Sequence, residues 1–256
     1  MFSKKMIYGF ILSLFFTNFS ANAADLKEIL KNGEVKIAVP EAFAPFGSVG
    51  KTGEHEGYDV DVAKLIAKDL GVKLKIVPVV SKQRIPFLET DKVDLVISTM
   101  GANPSRAKSI NFSSAYVPFY SGVFAPSSIK VSSYADLEGL TIGVTGGTLE
   151  DLELTKMAPK GAKITRFGDN AATLSAIKSK QVQVLVAGNT VAASVTEANP
   201  NFDLERKFII KDSPCFIGVK KGNEDLLRWV NVFILHKKLG GDLNNCLLYT
   251  SDAADE

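Results

Sequence analysis

The stretch "VKLKIVPVVSKQRIPFLETDKVDLVIST", residues 72 to 99, places two β-rich apolar runs on either side of a short segment with helical character. "VKLKIVPV" and "VDLVIST" are dominated by β-branched and aliphatic residues, as strands are. Between them "QRIPFLETDK" reads as a short helix with Pro86 near its start, where proline is tolerated. Working outward, "VKIAVP" (35 to 40) is a further strand. "DVDVAKLIAKDLG" has apolar residues at 60, 62, 63, 65, 66 and 70, the spacing of an amphipathic helix, ended by Gly71. The order β-α-β-α-β predicts a parallel sheet with helices on its faces. Ligands of such sheets gather at the carboxyl ends of the strands.

The alternation then repeats. After "SGVFAPSSIKVSSYADLEG", a Ser-rich connector, come strand "LTIGVT", a helix from Thr148, strand "KITRFG", helix "NAATLSAIKSK", strand "VQVLVAG", helix "TVAASVTEA" and strand "KFIIK". Two units of similar order predict an α/β protein of two lobes. The remaining "SPCFIGVKKGNEDLLRWVNVFILHKKLGGDLNN" supplies a strand and two helices without a sheet of their own, so it is expected to return to the first lobe. The expected division is lobe one at residues 24–122 and 218–245, and lobe two at 123–217. Two crossing strands near 121–126 and 214–219 would serve as a hinge, a layout that permits closure around a ligand.

Both ends read as foreign to the fold. Lys4 and Lys5, an apolar run from Met6 to Phe16 and the exit Ala21-Asn22-Ala23 have the form of a secretory signal peptide cleaved after Ala23, which predicts a periplasmic protein. No cysteine stands at that cleavage point, so no lipid anchor is expected. The apolar run is shorter than the roughly 20 residues of a membrane span. "CLLYTSDAADE", residues 246–256, carries no periodicity and reads as the translation of a sequencing adapter, so the native terminal helix is expected to lack residues.

A net charge of +2 without a basic tract argues against nucleic acid as a partner. With Cys246 in the tail, Cys215 stands alone and is expected to be a small buried apolar residue. No Cys/His spacing suggests a metal, and no cofactor motif is present.

The strings "FAPF" (43 to 46), "GYDVDVAKLIAKDLGV" (57 to 72), "RIPFL" with "KVDLVIST", "NPSRAKSINFS", "LEGLTIGVTGGT" and "FIGVKKGNEDLL" stand in one register. Together they resemble the amino-acid branch of the periplasmic solute-binding proteins that feed ATP-binding-cassette importers, over residues 25 to 245. The resemblance implies a two-lobed periplasmic-binding-protein-like fold with a two-strand hinge and an amino-acid ligand in the cleft. It also implies a membrane permease as partner and a monomeric receptor.

It assigns roles residue by residue. Arg106 matches the clamp on the ligand's α-carboxylate; a guanidinium grips a carboxylate bidentately with charge assistance. Thr99 matches a position lending backbone and hydroxyl groups, while Gly101 stands where Ser or Thr is usual and offers only its N–H. Asn103 is read as closing the turn. Gly147 and Thr148 match ligand contacts at a helix start, where free N–H groups attract anions, and Thr148 with Asp151 forms a capping pattern. Phe43 matches the ring that stacks on the ligand's stem. Tyr58, Asp59 and Asp61 are read as capping or packing residues.

Two departures bear on the substrate. The family's aspartate for the α-ammonium falls on Gly188 or Asn189, depending on the anchor, and neither is charged. Asn189 is taken as the contact; either Glu150, Asp151 or Asp212 substitutes for the missing carboxylate, or the ligand is not an ordinary α-amino acid. Ser81 and Arg84 resemble members that bind glutamate or aspartate, which leans the reading toward an acidic ligand. Pro40 stands where binders of basic amino acids carry an acid, which argues against lysine or arginine. Two alternatives are a cyclohexadienyl-dehydratase-like enzyme, with Glu150 or Glu41 as general acid, and the sensing domain of a truncated receptor. Nothing else has catalytic form: His55 and His236 lie in a charged loop and a terminal helix.

Overall fold

The computed structural model describes residues 25–246. The cleavage site expected after Ala23 and residues 247–256 of the tail lie outside them. In chain order, α1 (Leu26–Asn32) leads into β1 (Glu34–Pro40), the small hairpin β2 (Ser48–Val49) and β3 (His55–Glu56), then α2 (Tyr58–Leu70), β4 (Lys73–Val79), α3 (Arg84–Glu89), β5 (Leu95–Gly101) and β6 (Ile110–Val117). There follow β7 (Tyr120–Ala125), β8 (Thr141–Thr145), α4 (Leu149–Met157), β9 (Lys163–Phe167), α5 (Asn170–Lys178), β10 (Val184–Gly188), α6 (Asn189–Ala198) and β11 (Glu205–Asp212). There follow β12 (Cys215–Lys220) and α7 (Glu224–Leu239), and residues 242–246 are again helical.

Two five-stranded sheets result, ordered β4-β1-β5-β12-β6 and β11-β7-β10-β8-β9. In the first, β1 pairs parallel with β4 and β5, while β12 runs antiparallel between β5 and β6. In the second, β8 pairs parallel with β9 and β10, and β7 runs antiparallel between β10 and β11. Every residue of β5 is buried, as a central strand covered on both faces requires. α2 lays Val60, Val62, Ala63, Ile66 and Leu70 into the core and ends where Gly71, at φ 68°, accepts the left-handed turn. β12 and α7 do return to the first sheet: Ile217, Val219, Leu226, Val230 and Phe233 join the core that holds Ile37 and Ile97. Cys215 is buried there as a free thiol, its pKa pushed up by burial.

The crossings fall a few residues earlier than the pattern suggested. Residues 121–125, read as the start of a connector and as part of a strand crossing between the lobes, are β7 and belong wholly to the second sheet. β12 belongs wholly to the first. The chain therefore changes sheet at Pro118–Phe119 and again at Ser213–Pro214, and the Ser213 N–H donates to the Phe119 carbonyl (2.9 Å), tying the two crossings together. Strands do stand where two were expected, near 121–126 and 214–219, but β7, covered on both faces, pairs within one sheet instead of running between the lobes. α1 and β6 escaped the reading; in "INFSSAYV" the polar residues Asn111, Ser113 and Ser114 interrupt the apolar pattern.

Candidate functional site

β5 ends at the cleft between the sheets. There Thr99 adopts a left-handed backbone, φ 45°, uncommon for a β-branched residue. Its hydroxyl donates to Asp59 Oδ2 (2.7 Å) and its N–H to the Tyr116 hydroxyl (3.2 Å), while Tyr116 itself donates to Asp59 Oδ1 (2.5 Å). Asp59 is fully buried at the start of α2, and its pKa is raised to about 6 by burial, against the lowering effect of those two hydroxyls and of Arg84. Thr99 thus lines the cleft with both of its donors already committed, unlike the hydroxyl and backbone contact expected of it.

The turn that follows sets Arg106. Asn103 Oδ1 accepts the Arg106 N–H (2.8 Å), the closing role expected of it. The guanidinium spans the cleft: Nη1 donates to the Gly101 carbonyl (2.8 Å) and Nη2 to that of Gly147 on the opposite lobe (2.7 Å). Burial, and secondly the like charge of Arg84, lower its pKa to about 10. Arg84, at the first turn of α3, is 5% exposed and donates through Nε to Ser98 (3.1 Å). Burial lowers its pKa, opposed chiefly by Asp59. Both arginines and Phe43 line the same cleft, Phe43 leaning on the core residue Phe46 (ring centroids 5.2 Å apart). Ser81 is buried one turn before Arg84 and faces an adjoining recess with Pro40, Glu41 and Phe43.

The second lobe presents the start of α4. Thr148 caps it, accepting the Asp151 N–H (3.2 Å), and Asp151 Oδ2 accepts the Gly147 N–H (3.0 Å). Gly147 lies at φ 83° beneath the stem of Lys82 from the first lobe; a Cβ there would stand 2.7 Å from Lys82 Cγ. Its carbonyl is the one that Arg106 grips. Glu150 lines the cleft, 7% exposed, and accepts the Ser121 hydroxyl (2.7 Å). Asp151 is instead held by Arg166 (2.7 Å), and Asp212 is exposed at the end of β11 outside the cleft lining.

At the end of β10, Gly188 and not Asn189 reaches the cleft. Asn189 does not join the expected contacts: its Oδ1 accepts the Tyr120 N–H (3.1 Å), because as the first residue of α6 it is turned toward the crossing segment. A side chain at 188 has no room, since a Cβ would sit 1.8 Å from Phe119 Cζ. Phe119, Leu149, Ser121 and Ser213 complete the surroundings without having been singled out from sequence. Phe119, next to a proline at the lobe crossing, was the one with a readable signal. Leu149 approaches Gly101 closely: a Cβ there would stand 2.3 Å from Leu149 Cδ1.

Two α/β lobes joined by two crossings, with charged side chains from both converging on the strand ends between them, define a solute-binding fold of the hinged, two-lobed class. The model of the bacterial extracellular solute-binding proteins, family 3, matches residues 35–247, and the chain belongs to that family. It is 30% identical over 221 residues to the ABC transporter glutamine-binding protein GlnH of Bacillus subtilis (strain 168), covering 84% of this chain and 80% of the relative. Among solved structures, a mutant of ArgBP from T. maritima superposes with a TM-score of 0.82 at 30% identity, covering 89% of this chain and 99% of that one. An ancestral amino acid-binding protein, described as a precursor of cyclohexadienyl dehydratase, gives 0.80 at 30% identity, covering 86% and 96%. The curated relatives are named as binding proteins, and the chain is a solute-binding protein rather than an enzyme.

Proposed function

We propose that this protein is an exported receptor, processed after Ala23, that captures an acidic amino acid in the inter-lobe cleft as a monomer in the periplasm. It then delivers the ligand to the membrane permease of an ATP-binding-cassette importer. The observation that carries the ligand class is the pair of arginines, Arg84 and Arg106, lining one cleft. Desolvated guanidinium groups bind carboxylates strongly, and two of them favour a ligand with two carboxylates. Arg106 takes the α-carboxylate, Arg84 the side-chain carboxylate, and the Phe43 ring covers the aliphatic stem. Gly147 and Thr148 close from the second lobe, and Ser81 supports the turn that holds Arg84. The glutamine-binding relative supports an amino acid as the ligand class. Closure joins the lobes into the surface that a permease distinguishes from the open form.

Thermal unfolding against a panel of amino acids and dicarboxylates tests this reading, because a ligand that binds only the folded chain adds ~2.7 kcal/mol at a hundredfold excess over Kd. Glutamate or aspartate is expected to raise Tm, and Arg84→Ala to abolish the rise. A rise with glutamine that equals the rise with glutamate and survives Arg84→Ala would replace the acidic ligand by a neutral one.

A further inference from the structure

We infer that Glu150, held by Ser121, is the subsite for the ligand's ammonium group, relocated from the end of β10 to the first turn of α4. The inference rests on the reading of the cleft as an amino-acid site. At 188 the chain has no side chain, and the Phe119 ring occupies the space that one would need, with Cζ 1.8 Å from the position of a Cβ. A carboxylate must therefore come from elsewhere. Asp59 accepts from Thr99 and Tyr116, Asp151 is bound by Arg166, Asp212 lies outside the lining, and Glu41 and Asp169 face the adjoining recess, not the cleft itself. Glu150 remains. It is 7% exposed, yet it lines the cleft beside both arginines.

Among the described residues its one side-chain hydrogen bond comes from the Ser121 hydroxyl to Oε1, and no Lys, Arg or His forms an ion pair with it. Arg84 and Arg106 act on Glu150 electrostatically without pairing with it, so one oxygen of a buried carboxylate stays open to a cation at contact distance. Two arginines and one glutamate complement a zwitterion that carries two carboxylates and one ammonium. Ser121, on the second lobe's β7, fixes the carboxylate's rotamer, so the ammonium is met from the lobe that closes and the carboxylates from the lobe that docks first.

Calorimetric titration of the processed full chain with L-glutamate and with glutarate, which has the carboxylates without the amine, tests the assignment. Wild type is expected to bind glutamate roughly a hundredfold more tightly than glutarate. Glu150→Gln should remove that preference by weakening glutamate alone, and Ser121→Ala should weaken glutamate by a smaller factor. Equal affinity for both probes in wild type, or a glutamate preference that persists in Glu150→Gln, overturns the assignment; an unchanged Tm of the unliganded variants shows that folding is not at issue. If neither probe binds, the acidic reading fails separately. The same comparison is then made between whichever of glutamine, arginine, histidine or cystine binds and its N-acetyl form, with the same two outcomes. A chain that binds none of them overturns both readings.

Discussion

Asp59 concentrates the chemistry of a single residue. It is fully buried, accepts two hydroxyl hydrogen bonds and faces Arg84, yet burial dominates and raises its pKa to about 6. The unfolded chain releases this proton near 3.8, the ordinary value for an aspartate, so between that pH and about 6 the folded state holds more protons than the unfolded one. Stability supplied by this group is thus complete at low pH and declines as pH rises through that window, by ~3 kcal/mol at neutrality. Denaturant unfolding of wild type and Asp59→Asn across pH 3.5–7.5 should show wild type losing ground to the variant between pH 4 and 6; parallel profiles would refute the shift. The sequence placed Asp59 at a helix entry and assigned it a capping or packing role. Its burial depends on β5 and β6 delivering Thr99 and Tyr116 from far along the chain, which no local pattern records.

At the scale of elements, α4 shows how much a short string can specify. "GGTLED" predicts a capped helix start, and Thr148 and Asp151 form it with distances of 3.2 and 3.0 Å. Thr148→Ala is expected to destabilise the protein by ~1 kcal/mol, the usual worth of a helix N-cap, read as a lower urea midpoint at unchanged m-value. An unaltered midpoint would mean that the interactions of Gly147 with Arg106 and Lys82 hold the turn without the cap. Other elements were legible for similar reasons: α2 has its 3.6-residue stripe and β5 its apolar run. β6 was not, because polar residues interrupt its apolar pattern, and β7 was expected as a strand near 121–126 but not as a member of the second sheet.

Over the whole molecule, the crossings decide how the lobes meet. Phe119 sits between them, packs edge-on against Phe46 of the first lobe (ring centroids 6.1 Å apart) and fills the space over Gly188 of the second. Gly188→Asp should therefore destabilise the chain by ~1–3 kcal/mol through overpacking. Combined with Phe119→Ala it should cost less than the sum of the two single changes, since residues in contact couple. Additive values from a denaturant double-mutant cycle would show that the ring and the strand end do not compete for one space.

By itself the sequence determined the α/β class, the repeated unit and the caps at Gly71 and Thr148, and its resemblance to a known family pointed to the arginines, the Gly-Thr turn and Phe43. Periodicity, capping and turn chemistry act over a few residues and leave local marks. Tertiary structure alone decided that Asn189 turns away while Gly188 faces the cleft, that Thr99 spends its donors on Asp59 and Tyr116, and that Glu150 is the acid left facing the arginines. Those outcomes depend on distances across the lobe crossings, where a shift of about one ångström exchanges one partner for another.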